Sequence, residues 1–142
     1  MTGAGARLYD FPTVPTVTIQ LLGRFSVEID GVPISGDAWR SRRAGDVVKL
    51  LALAPAHRIH RTEVMEALWP ESDPEASGTN LRKALHFARL ATGEERSIVN
   101  ERGVLVLWPD ARIETDVERF EAAARRVPEG SDEAASRSAA VS

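Results

Sequence analysis

The sequence predicts one small α+β domain in which an N-terminal antiparallel sheet, three helices and a C-terminal β-hairpin share a core. Three observations lead to this class. The chain has 142 residues, the length of one ordinary domain. Its 43% apolar and 27% charged residues are close to the average for globular proteins. Strand-like stretches stand on both sides of stretches with helical periodicity.

The N-terminal part predicts a lead-in and the small sheet. Residues 1–16 are rich in Gly, Ala, Thr and Pro and are expected to be flexible. Residues 17–21 and 25–29 alternate apolar and polar side chains, which is typical of strands with one wet face. Asp30-Gly31 then predicts a hairpin turn before a short third strand.

The next stretch predicts a helix and a short strand. Apolar residues repeat at helical spacing over residues 38–54, and Pro55 ends the pattern. Residues 57–61 leave room for only a short strand, with Ile59 directed inward.

Two further helices are expected before the second hairpin. Thr62 is predicted to be the N-cap of a short helix that ends at Trp69. Asp73 followed by Pro74 is a cap followed by a proline in the first helical position, and Gly93 suits a C-terminal cap. These signals predict a third and longest helix over residues 74–92.

The C-terminal part predicts a hairpin, a helix and a tail. Residues 97–100 and 104–108 flank a short loop in which Gly103 is expected to have a positive φ. The stretch 111–128 is interpreted as a linker followed by a helix, opened by the capping pair Thr115 and Glu118. The tail, 129–142, is rich in Ser, Ala, Glu and Asp and is expected to be disordered.

Several classes of function are excluded by what the chain lacks. There is no cysteine, so disulfides, thiolate zinc sites and a cysteine nucleophile are absent. No apolar run approaches the roughly 20 residues that a bilayer requires, and no secretory pattern is present, so a cytoplasmic protein without membrane contact is expected. The histidines, His57, His60 and His86, do not form a metal motif, and no acid–base pair or cofactor loop is seen. We therefore expect no enzyme, no cofactor and no metal.

The charges are distributed in blocks of one sign, although the net charge is −3. Residues 40–61 contain six basic residues and one acidic residue, and residues 79–93 contain three basic residues and no acidic one. Between them, residues 62–78 contain five acidic residues and no basic one. An acidic protein can therefore still present a basic surface.

The third helix is predicted to have one apolar and one basic face. At 100° per residue, the positions expected to be buried are Leu81, Ala84, Leu85, Ala88 and Ala91. The opposite side carries donors that suit base edges and phosphates, namely Thr79, Arg82, Lys83, His86 and Arg89, with Asn80 on the flank. A basic exposed face is often merely solvated, but such faces usually mix signs, and residues 76–93 contain no acid.

The second and third predicted helices are followed by a β-hairpin, which is the element order of a winged helix-turn-helix. In that fold the later helix enters the major groove of DNA, and the hairpin, or wing, contacts the flanking backbone. Residues 17–110 are assigned to this predicted domain.

Four motifs point to one family. They are Ile19-Gln20-Leu21-Leu22-Gly23 with Phe25, Ala67-Leu68-Trp69-Pro70, Asn80-Leu81-Arg82-Lys83-Ala84-Leu85, and Leu107-Trp108-Pro109. With them, residues 17–127 resemble the DNA-binding half of the SARP-type transcriptional activators (antibiotic regulatory proteins) of bacteria, which have an OmpR/PhoB-like winged helix. Residues 116–120 resemble the opening helix of the helical-repeat activation domain that follows in that family. The chain stops before the rest of that domain, so the resemblance leaves three alternatives open: a fragment, a truncated gene product or a stand-alone DNA-binding module.

The resemblance implies a sequence-specific transcriptional regulator, with activation favoured, that binds double-stranded DNA. Direct repeats are the expected DNA sites, and a homodimer on DNA is left as an open alternative. The residues that it assigns to DNA are Arg40, Arg42, Arg43, Arg61, Thr62, Thr79, Asn80, Arg82, Lys83, His86, Arg89, Asn100 and Arg102. The loop before the third helix is implied to contact RNA polymerase through Glu71, Asp73 and Glu75.

A second hypothesis stays open. The winged fold can serve as a protein-interaction module without DNA binding, in which an apolar stripe on the last helix binds a partner and the basic helix is incidental. That stripe consists of Val117, Phe120, Ala124 and Val127. The two hypotheses differ in salt dependence, because only phosphate binding weakens steeply with salt.

Overall fold

The computed structural model describes residues 14–126. Over this range the chain is a mixed α+β structure with four α-helices and two small sheets, which confirms the predicted α+β class. Residues 1–13 of the predicted lead-in, Val127 and the predicted tail lie outside the described residues. The lead-in is also shorter than predicted, because Thr16 is already in the first strand.

In chain order, the elements are β1 (Thr16–Gln20), β2 (Ser26–Ile29), β3 (Val32–Pro33), α1 (Arg42–Leu53), β4 (Arg58–His60), α2 (Arg61–Leu68), α3 (Pro74–Thr92), β5 (Ile98–Glu101), β6 (Val104–Leu107), β7 (Arg112–Thr115) and α4 (Asp116–Arg126). Short 3-10 turns lie at Gly36–Ala38, Pro55–His57 and Glu95–Ser97.

The first sheet has the strand order β3-β2-β1-β7. Val17 of β1 pairs with Ile29 of β2 in antiparallel register and with Ile113 of β7 in parallel register. The prediction of a purely antiparallel N-terminal sheet is therefore wrong at this edge, where residues 112–115 form a strand rather than a linker. A parallel pair needs a long connection, and here α1, α2, α3 and the second sheet provide it.

The second sheet has the order β4-β6-β5 and contains the predicted hairpin. Leu105 in the central strand pairs with Ile59 on one side and with Asn100 on the other. Leu105 is fully buried, so this sheet closes one side of the core beneath the helices.

The helix α1 begins later than the predicted residue 38. Residues Gly36–Ala38 form a separate 3-10 turn, and the hydroxyl of Ser41 accepts the N–H of Ala44 at 3.3 Å as the N-cap of α1. Arg40 consequently lies in the segment before the helix. Arg42 begins the helix.

The N-cap of α2 is His60 rather than the predicted Thr62. The ring nitrogen Nδ1 of His60 accepts the N–H of Thr62 at 3.2 Å. An imidazole nitrogen thus replaces the hydroxyl or carboxylate oxygen that usually caps a helix.

The predicted ends and buried face of α3 are confirmed. Oδ1 of Asp73 accepts the N–H of Ala76 at 2.8 Å, and Gly93 ends the helix with a φ of 71°. All five positions predicted to face the core are buried, namely Leu81, Ala84, Leu85, Ala88 and Ala91. The opposite face of α3 is thereby fixed as its exposed side.

The helix α4 packs against β1 and β7 of the first sheet. The predicted capping bond is present, since Oγ1 of Thr115 accepts the N–H of Glu118 at 2.9 Å. The carboxylate of Asp116 accepts the N–H groups of Leu21 and Leu22 at 2.8 and 2.9 Å, which ties the start of α4 to the end of β1.

This carboxylate predicts a pH dependence of stability. Burial acts to raise the pKa of Asp116, but the N–H donors of Leu21 and Leu22 outweigh it and hold the pKa below its ordinary value. Because the folded pKa is lower than the unfolded one, the stabilisation is present above the unfolded pKa and is lost as pH falls through the folded one. Urea unfolding between pH 7 and pH 2 should therefore show a smaller acid-induced loss for Asp116→Asn than for the wild type. Equal losses would contradict this role.

Candidate functional site

The helices α2 and α3 are joined by a compact turn. The carbonyl of Trp69 accepts the N–H of Ser72 at 3.2 Å and the hydroxyl of Ser77 at 3.5 Å. Ser77 is 3% exposed and Trp69 is partly buried against the core, so the turn is fixed at both ends. The two helices therefore have a defined relative orientation, and α3 presents its outer face to solvent.

The outer face of α3 carries the predicted donors. Thr79, Arg82, Lys83 and His86 are exposed, and Asn80 is half-buried on the flank. Within residues 14–126, neither Arg82 nor Lys83 has a carboxylate within 4.0 Å. The face therefore has unneutralised positive charge.

Arg89 belongs to the framework of the site. Its Nε and Nη2 atoms donate to the carbonyl of Ile98 at 3.1 and 2.8 Å. This half-buried guanidinium ties the last turn of α3 to β5, while the predicted DNA contact of Arg89 stays a prediction. Helical periodicity identifies the face of a residue but not the strand that passes beside it.

The hairpin of β5 and β6 has a two-residue tip with left-handed backbone. Arg102 and Gly103 have φ values of 55° and 91°, as a tight hairpin turn requires. Oδ1 of Asn100 accepts the N–H of Gly103 at 2.8 Å, so this residue holds the turn, and its predicted DNA contact stays a prediction. Arg102 remains exposed at the tip.

The tip of the hairpin is fixed to the start of α2. The N–H of Arg61 donates to the carbonyl of Gly103 at 2.7 Å. The ring of His60 lies directly against Gly103, since a Cβ on residue 103 would be 3.0 Å from its Nε2. Sequence patterns did not indicate these contacts of His60 and Gly103, which join the start of α2 to the tip of the hairpin.

A substitution at Gly103 tests this junction. Gly103→Ala should lower the free energy of unfolding by about 1–3 kcal/mol, because a side chain at this φ is strained and its Cβ meets His60. Gly31→Ala is the matched control, since Gly31 has a φ of 83° but no atom within 4 Å of the added Cβ. Urea unfolding measures the loss of stability in both variants, and the difference between the two losses gives the contribution of the contact with His60. A loss at Gly103 no larger than that at Gly31 would argue against packing on His60.

The arginines near the start of α1 differ in their surroundings. Arg40 and Arg42 are exposed, and within residues 14–126 neither forms an ion pair. Arg43 is bound to Asp46 at 3.0 Å, and its guanidinium lies 6.0 Å from the centroid of the Trp69 ring. Arg43 is therefore the least available of the three for a phosphate.

The acidic loop before α3 is exposed. Glu71, Asp73 and Glu75 are all accessible, and Asp73 has its structural role as the N-cap of α3. The acidic side chains near the positive end of the α3 dipole stabilise the helix start, in addition to any contact that they make.

The base of the hairpin holds an exposed ion pair between Arg96 and Asp110. The hydrogen bond to Asp110 raises the pKa of Arg96, and the same bond from Arg96 lowers the pKa of Asp110. This pair joins the segment before β5 to the segment after β6, so the two ends of the hairpin are held together.

Residues 14–126 contain no group of three or more histidine or acidic side chains that could hold a metal ion. In the same range, no helix combines the length and apolarity needed to cross a bilayer. Comparison of the chain with protein-family models, with curated proteins and with solved structures gave no match.

Proposed function

We propose that this chain is a sequence-specific regulator of transcription that binds double-stranded DNA through a winged helix-turn-helix. In this proposal α3 enters the major groove and the hairpin of β5 and β6 is the wing. The single observation that carries it is the outer face of α3. There, among the described residues 14–126, the exposed Arg82 and Lys83 have no carboxylate within 4.0 Å, while the opposite face is buried in the core.

The roles of the residues follow from their surroundings. Lys83 and His86 are exposed near the middle of α3 and are proposed to reach base edges, with Asn80 beside them. Arg40 and Arg42 are proposed to bind backbone phosphates. Thr62 is exposed in the first turn of α2 and Arg102 at the hairpin tip, so both are candidates for the flanking backbone.

Other parts of the proposal rest on the resemblance to the SARP-type activators. They are the activation of transcription, a contact of the exposed loop containing Glu71, Asp73 and Glu75 with RNA polymerase, binding to direct repeats as a homodimer, and a cytoplasmic location. A run-off transcription assay with purified RNA polymerase tests the activation and the polymerase contact together. Its template carries the duplex sequence obtained by the selection described next.

The main experiment is a selection from random duplex DNA, followed by fluorescence anisotropy at two salt concentrations. Lys83→Ala should weaken binding to the selected sequence by about 1–3 kcal/mol and reduce discrimination from random duplex. Lys49→Ala is the matched control, because Lys49 on α1 lies over the ring of Phe25 at 5.1 Å and close to Asp46. Unchanged discrimination in Lys83→Ala would contradict base reading by this residue.

A protein-interaction module is the second candidate function. It is favoured by Phe120, whose side chain is 66% exposed on α4. An apolar docking helix should bind its partner with little dependence on salt, whereas DNA binding should fall steeply as salt rises. Failure of the wild-type chain to retain any duplex at low salt would favour this candidate.

A further inference from the structure

Two arginine side chains from different helices converge over one glycine of α3. A Cβ at residue 78 would lie 3.5 Å from Nη2 of Arg61 and 3.7 Å from Nη1 of Arg82. Both guanidinium groups thus lie within van der Waals distance of a single point. We call this feature the Gly78 notch, formed by Gly78, Arg61 and Arg82.

The like charges of the notch are not neutralised by the protein. Within residues 14–126, Arg61 and Arg82 form no ion pair. The positions three and four residues along each helix also carry no acid, since Arg61 is followed by Val64 and Met65 and Arg82 by Leu85 and His86. Two cations brought together without a counter-charge repel each other, and a bound anion removes that repulsion.

The geometry of the notch is held by the surrounding framework. Nη2 of Arg82 donates to Oγ1 of Thr79 at 3.1 Å. The backbone N–H of Arg61 is bound to the hairpin carbonyl of Gly103, so the start of α2 cannot move independently of the hairpin. The guanidinium of Arg82 is therefore partly oriented before any ligand arrives, and the backbone that carries Arg61 is held in place.

We infer that the Gly78 notch binds one phosphate of the DNA backbone, shared by Arg61 and Arg82. This inference rests on the proposed function and adds Arg61 and Arg82 to its residue assignments. Two guanidinium forks match the oxygens of a phosphodiester, which accepts hydrogen bonds from both. The sequence predicts that Arg82 contacts either base edges or phosphates of the DNA and does not distinguish the two. The notch assigns Arg82 to a phosphate. Lys83 and His86 remain for the bases.

The first test uses inorganic phosphate at millimolar concentration and the side-chain Nε–H resonances of arginine. The resonances of Arg61 and Arg82 should shift with one common dissociation constant, while that of Arg125 on α4 should not follow it. Arg61→Gln should abolish the saturable shift at Arg82. An undiminished shift of Arg82 in that variant, or the absence of a saturable shift in the wild type, would overturn a shared anion.

Substitutions at Gly78 test the space in the notch. The 3.5 and 3.7 Å distances are ordinary van der Waals contacts, so Gly78→Ala should fold and keep the phosphate-induced shifts. Gly78→Val adds methyl groups that reach beyond this contact and should reduce the affinity for phosphate at least tenfold. If Gly78→Val does not fold, Gly78→Leu provides the same comparison with an unbranched Cβ. Equal affinity in the alanine and the larger variant would contradict the notch.

The second test uses duplex DNA. Arg61→Gln and Arg82→Gln should each weaken binding to selected and random duplexes by the same factor. The double variant should make the slope of log Kd against log salt shallower by about one rather than two, because one phosphate contact is lost. Arg125→Gln is the matched control on α4.

Loss of affinity for the selected duplex alone in Arg82→Gln would show base reading and overturn the inference while leaving the proposed function intact. No retention of duplex by the wild type would instead overturn the proposed function, and with it the assignment of the notch to DNA.

Discussion

Trp108→Ala should lower the free energy of unfolding by about 3–5 kcal/mol, among the largest effects expected of a single substitution in this chain. The indole of Trp108 is only 3% exposed and belongs to the core cluster. Its Nε1 donates to Oε1 of Glu94 at 2.6 Å, and its backbone N–H donates to the carbonyl of Ser97 at 2.7 Å. The substitution removes the ring and leaves a cavity in the core cluster to which Trp108 belongs.

Two variants separate the packing of Trp108 from its hydrogen bond. Trp108→Phe keeps most of the buried ring and loses the N–H donor, so it should cost less than the alanine variant. Glu94→Gln keeps an acceptor and should cost least. Urea unfolding monitored by far-ultraviolet circular dichroism measures all three. A phenylalanine variant as unstable as the alanine variant would show that the hydrogen bond, rather than burial, dominates.

Leu105→Ala should lower the free energy of unfolding by about 2–5 kcal/mol. Leu105 is 0% exposed in the central strand of the second sheet, between Ile59 and Asn100. Its truncation leaves a void in the core cluster to which Leu105 belongs. Because the hairpin positions Arg102 and holds the start of α2, we also expect the proposed DNA binding to be weaker in this variant at temperatures close to its unfolding midpoint.

Leu53→Ala is the matched control for Leu105→Ala. Leu53 is the same residue type at the end of α1, but its side chain is 58% exposed. Its truncation should change stability by less than about 0.5 kcal/mol, as is usual for surface substitutions. Losses of similar size in the two variants would contradict the placement of Leu105 in the core.

The sequence alone determined the elements whose signals are local. Asp73, Pro74 and Gly93 set the ends of α3 because caps act through the backbone groups of the adjacent turn. The buried face of α3 followed from the spacing of its apolar residues, and Gly103 at the hairpin tip from its need for a positive φ. The basic outer face of α3 was visible for the same reason, since the face opposite a buried one is exposed.

Only the tertiary structure decided which distant segments meet. Three contacts join residues whose local sequence does not identify their distant partner. They are the pairing of β7 with β1, the bond from Arg89 to Ile98, and the contacts of Gly103 with His60 and Arg61. The convergence of Arg61 and Arg82 over Gly78 belongs to the same class. Local periodicity fixes the direction of a side chain relative to its own helix, but the packing of one element on another fixes what that side chain meets.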